Sequence, residues 1–395
     1  MPDTTALKAR ALSVIDELRD EFIRISTTIH SHPELAFREF ESAALLSNTL
    51  EQHGYTVQRG IAGLETAFRA EIGDPAAGPT VALVAEYDAL PEIGHACGHN
   101  IIGTAAIAAG VALRAVMDEL KGRVVVVGAP AEEGGGGKVI LVEQGVFADV
   151  DAAMMVHPAT YTLVNRGSLA SIRLNIQFTG KASHAAAAPE DGINALEAII
   201  LTFNNVNALR LHLKSDARVH GIITHGGTAV NIIPDHAEAV FSVRAATQSY
   251  AEEVLRRVVQ CAEAAAIATG AQLNWTFKPG YAAMIPNAVL GRLFADNWRA
   301  IGVEVRDAMP NERMGSTDFG NVSQVVPAIH PYITIASPDT AGHTIEFREA
   351  AVSPAGHAGL INAAKAMAMT AIDLLANPAL VHAAKAELAA ARERR

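Results

Sequence analysis

With 395 residues the chain is longer than one hydrophobic core usually organises, so two domains are expected. Half of the residues are apolar and the formal charge is -11, which gives no electrostatic ground for nucleic acid or an anionic membrane as partner. A small metabolite or peptide is the partner this composition leaves.

In chain order, "MPDTTALKARALSVIDELRDEF" interleaves charges with apolar residues at helical spacing and lacks the apolar core of a signal peptide, which predicts a cytoplasmic protein. From Thr80 short β-rich runs alternate with helical patterns: "TVALVAEYDAL", "IIGTAAIAAGVAL" after Asn100, "RVVVVGAP", then "KVILVEQGVF" and "DAAMMVHPA". The stretch after Asn100 is too short and too rich in Gly and Ala to span a bilayer and is predicted to be a buried helix, so no transmembrane segment is expected. The alternation predicts an α/β fold with a mostly parallel sheet covered by helices on both faces. On such sheets chemistry sits where strands run out at their carboxyl ends, and Asp88, Glu132 with Glu133, and His157 all fall at such ends.

Between about Ser168 and Tyr281 the order changes. "SLASIRLNIQFTG" reads as a strand, "GINALEAIILTFNNVNALR" as a helix, "VHGIITHGG" and "HAEAVFSVRA" as strands, "SYAEEVLRRVVQCAEAAAIATG" as a helix and "AQLNWTF" as a strand. This β-α-β-β-α-β unit predicts a small four-stranded sheet with two helices on one face. It is read as an inserted lid or dimerisation domain over 169–281, leaving a discontinuous first domain over 1–168 and 282–395. The first pattern resumes at "NAVLGRLFADNWRAIG", passes the strand "HPYITIAS" and ends in the Ala-rich helix "PAGHAGLINAAKAMAMTAIDLLANP".

The chemistry begins at "HACGHN", residues 95–100. In an extended segment Cys97 and His99 point to one side and can share a metal, and this donor pair suits zinc or a related transition ion. A buried cysteine beside a hydrogen-bonded histidine is the competing reading. "VVVVGAPAEEGGGGK" puts two adjacent glutamates past a buried strand; on extended backbone one can bind metal while the other addresses a water. A solvated acidic turn competes here, whereas a phosphate loop is disfavoured because Val139 follows Lys138 where Ser or Thr is needed. His157 and His343 complete the set, each of which alone would read as structural. Cys261 reads as a small core residue, and a cytosolic chain gives it no reason to pair with Cys97.

The ordered set "HSHPELAFREFESA", "AEYDALPEIGHACGHN", "APAEEGGGG", "GKASHAAAAPEDGINA", "GGTAVNIIPDHAEAVFSVR" and "GHTIEFREAA" resembles the aminoacylase and carboxypeptidase G metallopeptidases, and within them the amidohydrolase branch with dipeptidase-like and aminobenzoyl-glutamate-hydrolase-like members. The resemblance implies two divalent transition ions per chain (zinc, manganese or cobalt) held by Cys97, His99, Glu133, His157 and His343, with Glu132 as general base. Relatives carry His-x-Asp where this chain has Glu86-Tyr87-Asp88; Cys97 would compensate as a thiolate ligand, and Asp88 would orient a ligand by hydrogen bond. Asn100 stands where many branch members have Asp, which leaves its role open. In the inserted domain the resemblance implies that His184 polarises the scissile carbonyl from across a homodimer interface, that Asn231 contacts substrate and that Arg244 holds its carboxylate. His30, His32 and Glu34 are read as structural, and Asp318 and Glu346 as orienting or capping groups.

The function expected is metal-dependent hydrolysis of N-acyl, N-aroyl or N-aminoacyl amino acids, small dipeptides included. Two rivals make other forecasts. A Cys97 nucleophile with His95 or His99 as base would survive chelators and die on alkylation. A non-catalytic binding homologue would turn nothing over.

Overall fold

The structure is a computed structural model that describes residues 3–309 and 312–393. The chain divides into two compact units. The first holds the chain up to Gly167, Met284–Met314 and the chain from Asn321 on; the second holds Ser168–Ala283 with Gly315–Gly320. That short return of Gly315–Gly320 to the second unit was not expected from the sequence.

The first unit opens with α1 (Thr4–Glu17), α2 (Arg19–Ser31) and α3 (Phe40–Gln52). The Asp3 carboxylate accepts from the N–H groups of Thr5 and Ala6 and starts α1, whose Leu7, Ala11 and Ile15 form its buried face. There follow β1 (Thr56–Arg59), β2 (Phe68–Gly73), β3 (Thr80–Ala85), α4 (His99–Arg114), β4 (Arg123–Gly128), α5 (Gly137–Glu143), β5 (Ala152–Met154) and β6 (His157–Ala159).

The second unit contains β7 (Ala170–Thr179), α6 (Ala195–Arg210), β8 (Arg218–His225), β9 (His236–Ala245), α7 (Gln248–Thr269) and β10 (Gln272–Pro279). The chain then adds α8 (Ala288–Ala300), α9 (Phe319–Val325), β11 (Ala328–Ile329), β12 (Tyr332–Thr334), α10 (Ile345–Ala350), α11 (Pro354–Ala376) and α12 (Pro378–Glu393).

The first unit's main sheet has the order β1-β2-β4-β3-β5-β11. The pairs β4–β3, β3–β5 and β5–β11 are parallel, while β1–β2 and β2–β4 are antiparallel. Every residue of β3, β4 and β5 is buried, as continuous apolar runs in a covered sheet must be. A separate parallel pair joins β6 to β12. Against the sheet lies α4, buried from His99 to Leu113. A Cβ at Gly103 would meet the Glu86 carbonyl oxygen at 2.6 Å, so glycine is what lets α4 lie this close to the chain leaving β3. Among the described residues α11 is long and apolar enough to cross a membrane, but 78% of its most apolar stretch is buried within the fold.

In the second unit the sheet order is β10-β7-β9-β8, all antiparallel. Alternate residues of β7 and β9 are buried, and α6 and α7 cover that face. This is the β-α-β-β-α-β unit read from the sequence.

Candidate metal centre

In the sheet β4, β3 and β5 lie side by side and run parallel, so their carboxyl ends open at one edge. The segments leaving those ends carry Glu132 and Glu133, then Asp88, Cys97 and His99, then His157. His343 joins from the loop before α10, its backbone N–H bonded to the Ala96 carbonyl at 3.0 Å.

Cys97 and His99 do not converge through extended backbone as the sequence reading supposed. Gly98 takes a left-handed conformation (φ 81°) as the cap of α4, and this turn aims the two side chains together. A Cβ at Gly98 would strike the Pro158 ring at 2.7 Å, so both backbone sign and space demand glycine. The adjacent glutamates likewise sit in a turn, entered at Ala131 with φ 62°.

The ligand atoms gather in three overlapping groups, Cys97–His99–His157, Cys97–Glu133–His343 and His99–Glu132–Glu133, each with its atoms within 4.8 Å of one another. Cys97 Sγ is 3.4 Å from His157 Nε2, His343 Nε2 is 3.5 Å from Glu133 Oε1, and His99 Nε2 is 3.9 Å from the same oxygen. Donors around a tetrahedral ion with bonds of about 2.0–2.3 Å lie about 3.5 Å apart, so this spacing fits divalent ions. Both His99 Nε2 and Glu133 Oε1 are buried without a hydrogen-bond partner among the described residues, an arrangement that needs a cation or a proton to be tolerable. Glu132 belongs to the same gathering, so its carboxylate lies within reach of anything held at His99.

Asp88 fixes this geometry. His99 Nδ1–H donates to the Asp88 carbonyl at 2.9 Å and to its Oδ1 at 3.0 Å, which leaves Nε2 as the atom that would bond an ion once its proton gives way. Asp88 Oδ2 accepts the backbone N–H of Glu133 at 2.9 Å, so one carboxylate orients two neighbouring donors. Burial opposes its charge, but the charge and hydrogen bond of His99, the Glu133 N–H and the Lys138 ammonium together outweigh this and hold the carboxyl below the usual range. His157 Nδ1–H donates to the Pro158 carbonyl at 2.6 Å and turns Nε2 toward Cys97; desolvation, then the charge of His99, pushes this imidazole down to about 4, keeping it neutral. Desolvation pushes the Cys97 thiol well up, which argues against a free thiolate nucleophile, whereas a coordinated ion removes such a proton outright.

Sequence reading missed Glu39. Its buried carboxylate accepts from the Phe37 and Ala131 N–H groups at 3.0 and 2.9 Å and from the Thr66 hydroxyl at 2.9 Å, and so pins the turn that presents Glu132 and Glu133. A glutamate so far from the motif in sequence gives no local signal of this role. The Asn100 amide donates to Ser26 Oγ at 2.9 Å on α2, while its Oδ1 is buried without a hydrogen-bond partner among the described residues. His30 Nε2–H donates to the Arg348 carbonyl and Glu34 accepts at the start of α3, both packing roles.

In the second unit His184 is exposed, and its Nδ1 accepts the N–H groups of Ala186 and Ala187 at 3.2 Å each, which puts the ring proton on Nε2. The Asn231 carbonyl accepts from Ala185 N–H at 3.0 Å, and His184 bridges Ile232, so these two candidates share one corner. Arg244 lies near the far end of β9, opposite Ser171, about 26 Å along the strand from His236 by the usual rise. The structure therefore does not group it with His184 and Asn231. Cys261 is half-buried against this unit's core, and both cysteines are free thiols.

Residues 166–269 match the M20 peptidase dimerisation domain. The chain is 41% identical over 397 residues to the Xaa-Arg dipeptidase of Mus musculus, covering 96% of this chain and 92% of that one. It is 31% identical over 448 residues to a p-aminobenzoyl-glutamate hydrolase chain of Escherichia coli K12, covering 94% and 93%. Its fold is similar, at a TM-score of 0.72 and 23% identity, to a Bacillus subtilis structure described as a dinuclear metal-binding peptidase of the M20 family, covering 91% of this chain and 99% of that one.

Proposed function

We propose that this chain, which belongs to the M20 peptidase family, uses divalent metal ions to hydrolyse the amide bond of dipeptides and N-acyl or N-aroyl amino acids. Amide hydrolysis is the activity in the names of its relatives, a dipeptidase and an aminobenzoyl-glutamate hydrolase. The metal requirement is supported by one observation: the donor atoms of Cys97, His99, Glu133, His157 and His343 crowd together, with His99 Nε2 and Glu133 Oε1 buried and unbonded among the described residues.

These five residues would hold two ions, of zinc, manganese or cobalt. Bound there, the ions supply positive charge that polarises the scissile carbonyl and acidifies the attacking water. Glu132, with its carboxylate in the same gathering, takes the proton from that water and returns it to the leaving amine. His184, with its proton on Nε2, donates to the oxyanion as it forms, and we assign it to the partner copy's site in a homodimer. Asn231, at the same corner as His184, contacts the substrate through its side-chain amide, whereas Arg244 lies at the other end of β9 and is assigned no part in that contact. Asp88 keeps His99 and Glu133 aimed throughout, and the protein works inside the cell.

The test is turnover of a panel of Xaa-Arg and β-alanyl dipeptides, N-acyl amino acids and aminobenzoyl-glutamate by metal-loaded protein, with and without thiol alkylation of that metal-loaded form. Hydrolysis of at least one class that survives alkylation when ions are present supports the reading. A metal-loaded protein inert to the whole panel would remove it.

A further inference from the structure

Beside the metal centre, and outside all three ligand groups, lies a wholly buried ion pair. Lys138 is the second residue of α5 and is 0% exposed; Glu86, one residue past β3, is 1% exposed, and Lys138 Nζ is 2.7 Å from Glu86 Oε1. The other carboxylate oxygen, Oε2, is 3.5 Å from His99 Nε2, the ring nitrogen left open by the bonds to Asp88. That separation equals the one between His343 Nε2 and Glu133 Oε1, two atoms read as ligands. Glu86 thus stands at ligand spacing from His99, yet among the described residues it joins no group of three donors. The start of α5 is rigidly set: a Cβ at Gly137 would fall 1.9 Å from the Pro130 carbonyl oxygen, so the backbone carrying Lys138 sits hard against the chain leaving β4.

Burying an ammonium and a carboxylate is costly even when paired, and a fold gains little stability from it over an apolar pair of the same size. Its placement against His99 gives it a use. We propose that Lys138 is a positioning residue that draws the Glu86 carboxylate back and holds it out of the coordination shell of the ion bound at His99. The ion then keeps an open position for water and substrate, and the anionic charge of Glu86 is cancelled at the edge of the centre. An anionic oxygen added to the shell would instead fill that position and weaken the ion's pull on a carbonyl.

This inference rests on the metal-dependent reading, and cobalt substitution separates the two. Cobalt(II) absorption reports coordination number, and competition with a coloured chelator reports affinity, neither of which requires turnover. Lys138→Met is expected to lower the intensity of the visible cobalt band, as coordination rises, and to tighten cobalt binding about tenfold. The double variant Glu86→Gln with Lys138→Met, neutral at both positions, is expected to return the wild-type spectrum and affinity. A Lys138→Met protein with the wild-type spectrum and affinity overturns the proposal. So does a double variant whose spectrum shows a lost ligand, because Glu86 would then coordinate in the wild type. Where Lys138→Met does not fold, the double variant decides alone on those two outcomes. Wild-type protein that takes up no cobalt overturns the metal-dependent reading together with this one.

Discussion

Glu132 and His95 show how single residues in this site carry different kinds of consequence. Glu132 offers a carboxylate beside His99 and Glu133 but is assigned the proton rather than an ion. Glu132→Gln is therefore expected to leave metal content unchanged while turnover falls about 10²- to 10⁴-fold, read by elemental analysis and initial rates on one preparation. Loss of metal in step with activity would make Glu132 a ligand instead. His95 is buried against His30, ring centroids 6.2 Å apart, and burial first, then the charges of His99 and His30, push its imidazole down to about 3. The unfolded chain binds this proton near pH 6.5 and the folded chain does not. Its contribution is complete above pH 6.5 and is lost as pH falls from there toward 3. Denaturant titrations of demetallated protein should show the wild type losing about 1.4 kcal/mol per pH unit more than His95→Asn across that window. Parallel pH slopes for the two proteins would mean that His95 is already charged in the fold.

At the scale of elements, two turns do most of the aiming. Gly98 sits at φ 81° against Pro158, so Gly98→Ala is expected to cost about 1–2 kcal/mol from backbone handedness alone and to weaken metal binding, because Cys97 and His99 flank it. Melting curves and chelator competition check the two effects separately; a variant with wild-type affinity would mean that the turn is not what converges the ligands. Glu39 clamps the other turn through the Ala131 N–H, and Glu39→Ala should lower kcat by misplacing Glu132 and Glu133 while each side chain remains present. The apolar runs of β3, β4 and β5 were legible because a covered parallel strand is apolar on both faces, and their carboxyl ends marked where the donor atoms gather. The turns were not: Cys97-Gly98-His99 reads equally as extended backbone, and only the structure shows the sign of φ at Gly98. Strands β1 and β2 also escaped notice, being short, mixed in polarity and antiparallel at the sheet edge. Contacts such as Glu39 with Ala131 or Glu86 with Lys138 join segments remote in sequence, and no periodicity records them.

At the scale of the whole molecule, the chain carries one unit that gathers the five donor side chains and one that matches the M20 peptidase dimerisation domain. Because the five donors are assembled only in the folded state, ions saturating the site at a hundredfold excess over Kd should add about 2.7 kcal/mol of stability and raise the melting temperature accordingly. The most direct measurement is metal content together with dipeptide hydrolysis, taken on the purified protein, after complete chelation and after return of zinc, manganese or cobalt. About two ions per chain are expected, with activity lost when they leave and restored when they return. Full turnover by protein that has been stripped of metal would contradict a metal-dependent hydrolase, and would return Cys97 to consideration as a nucleophile.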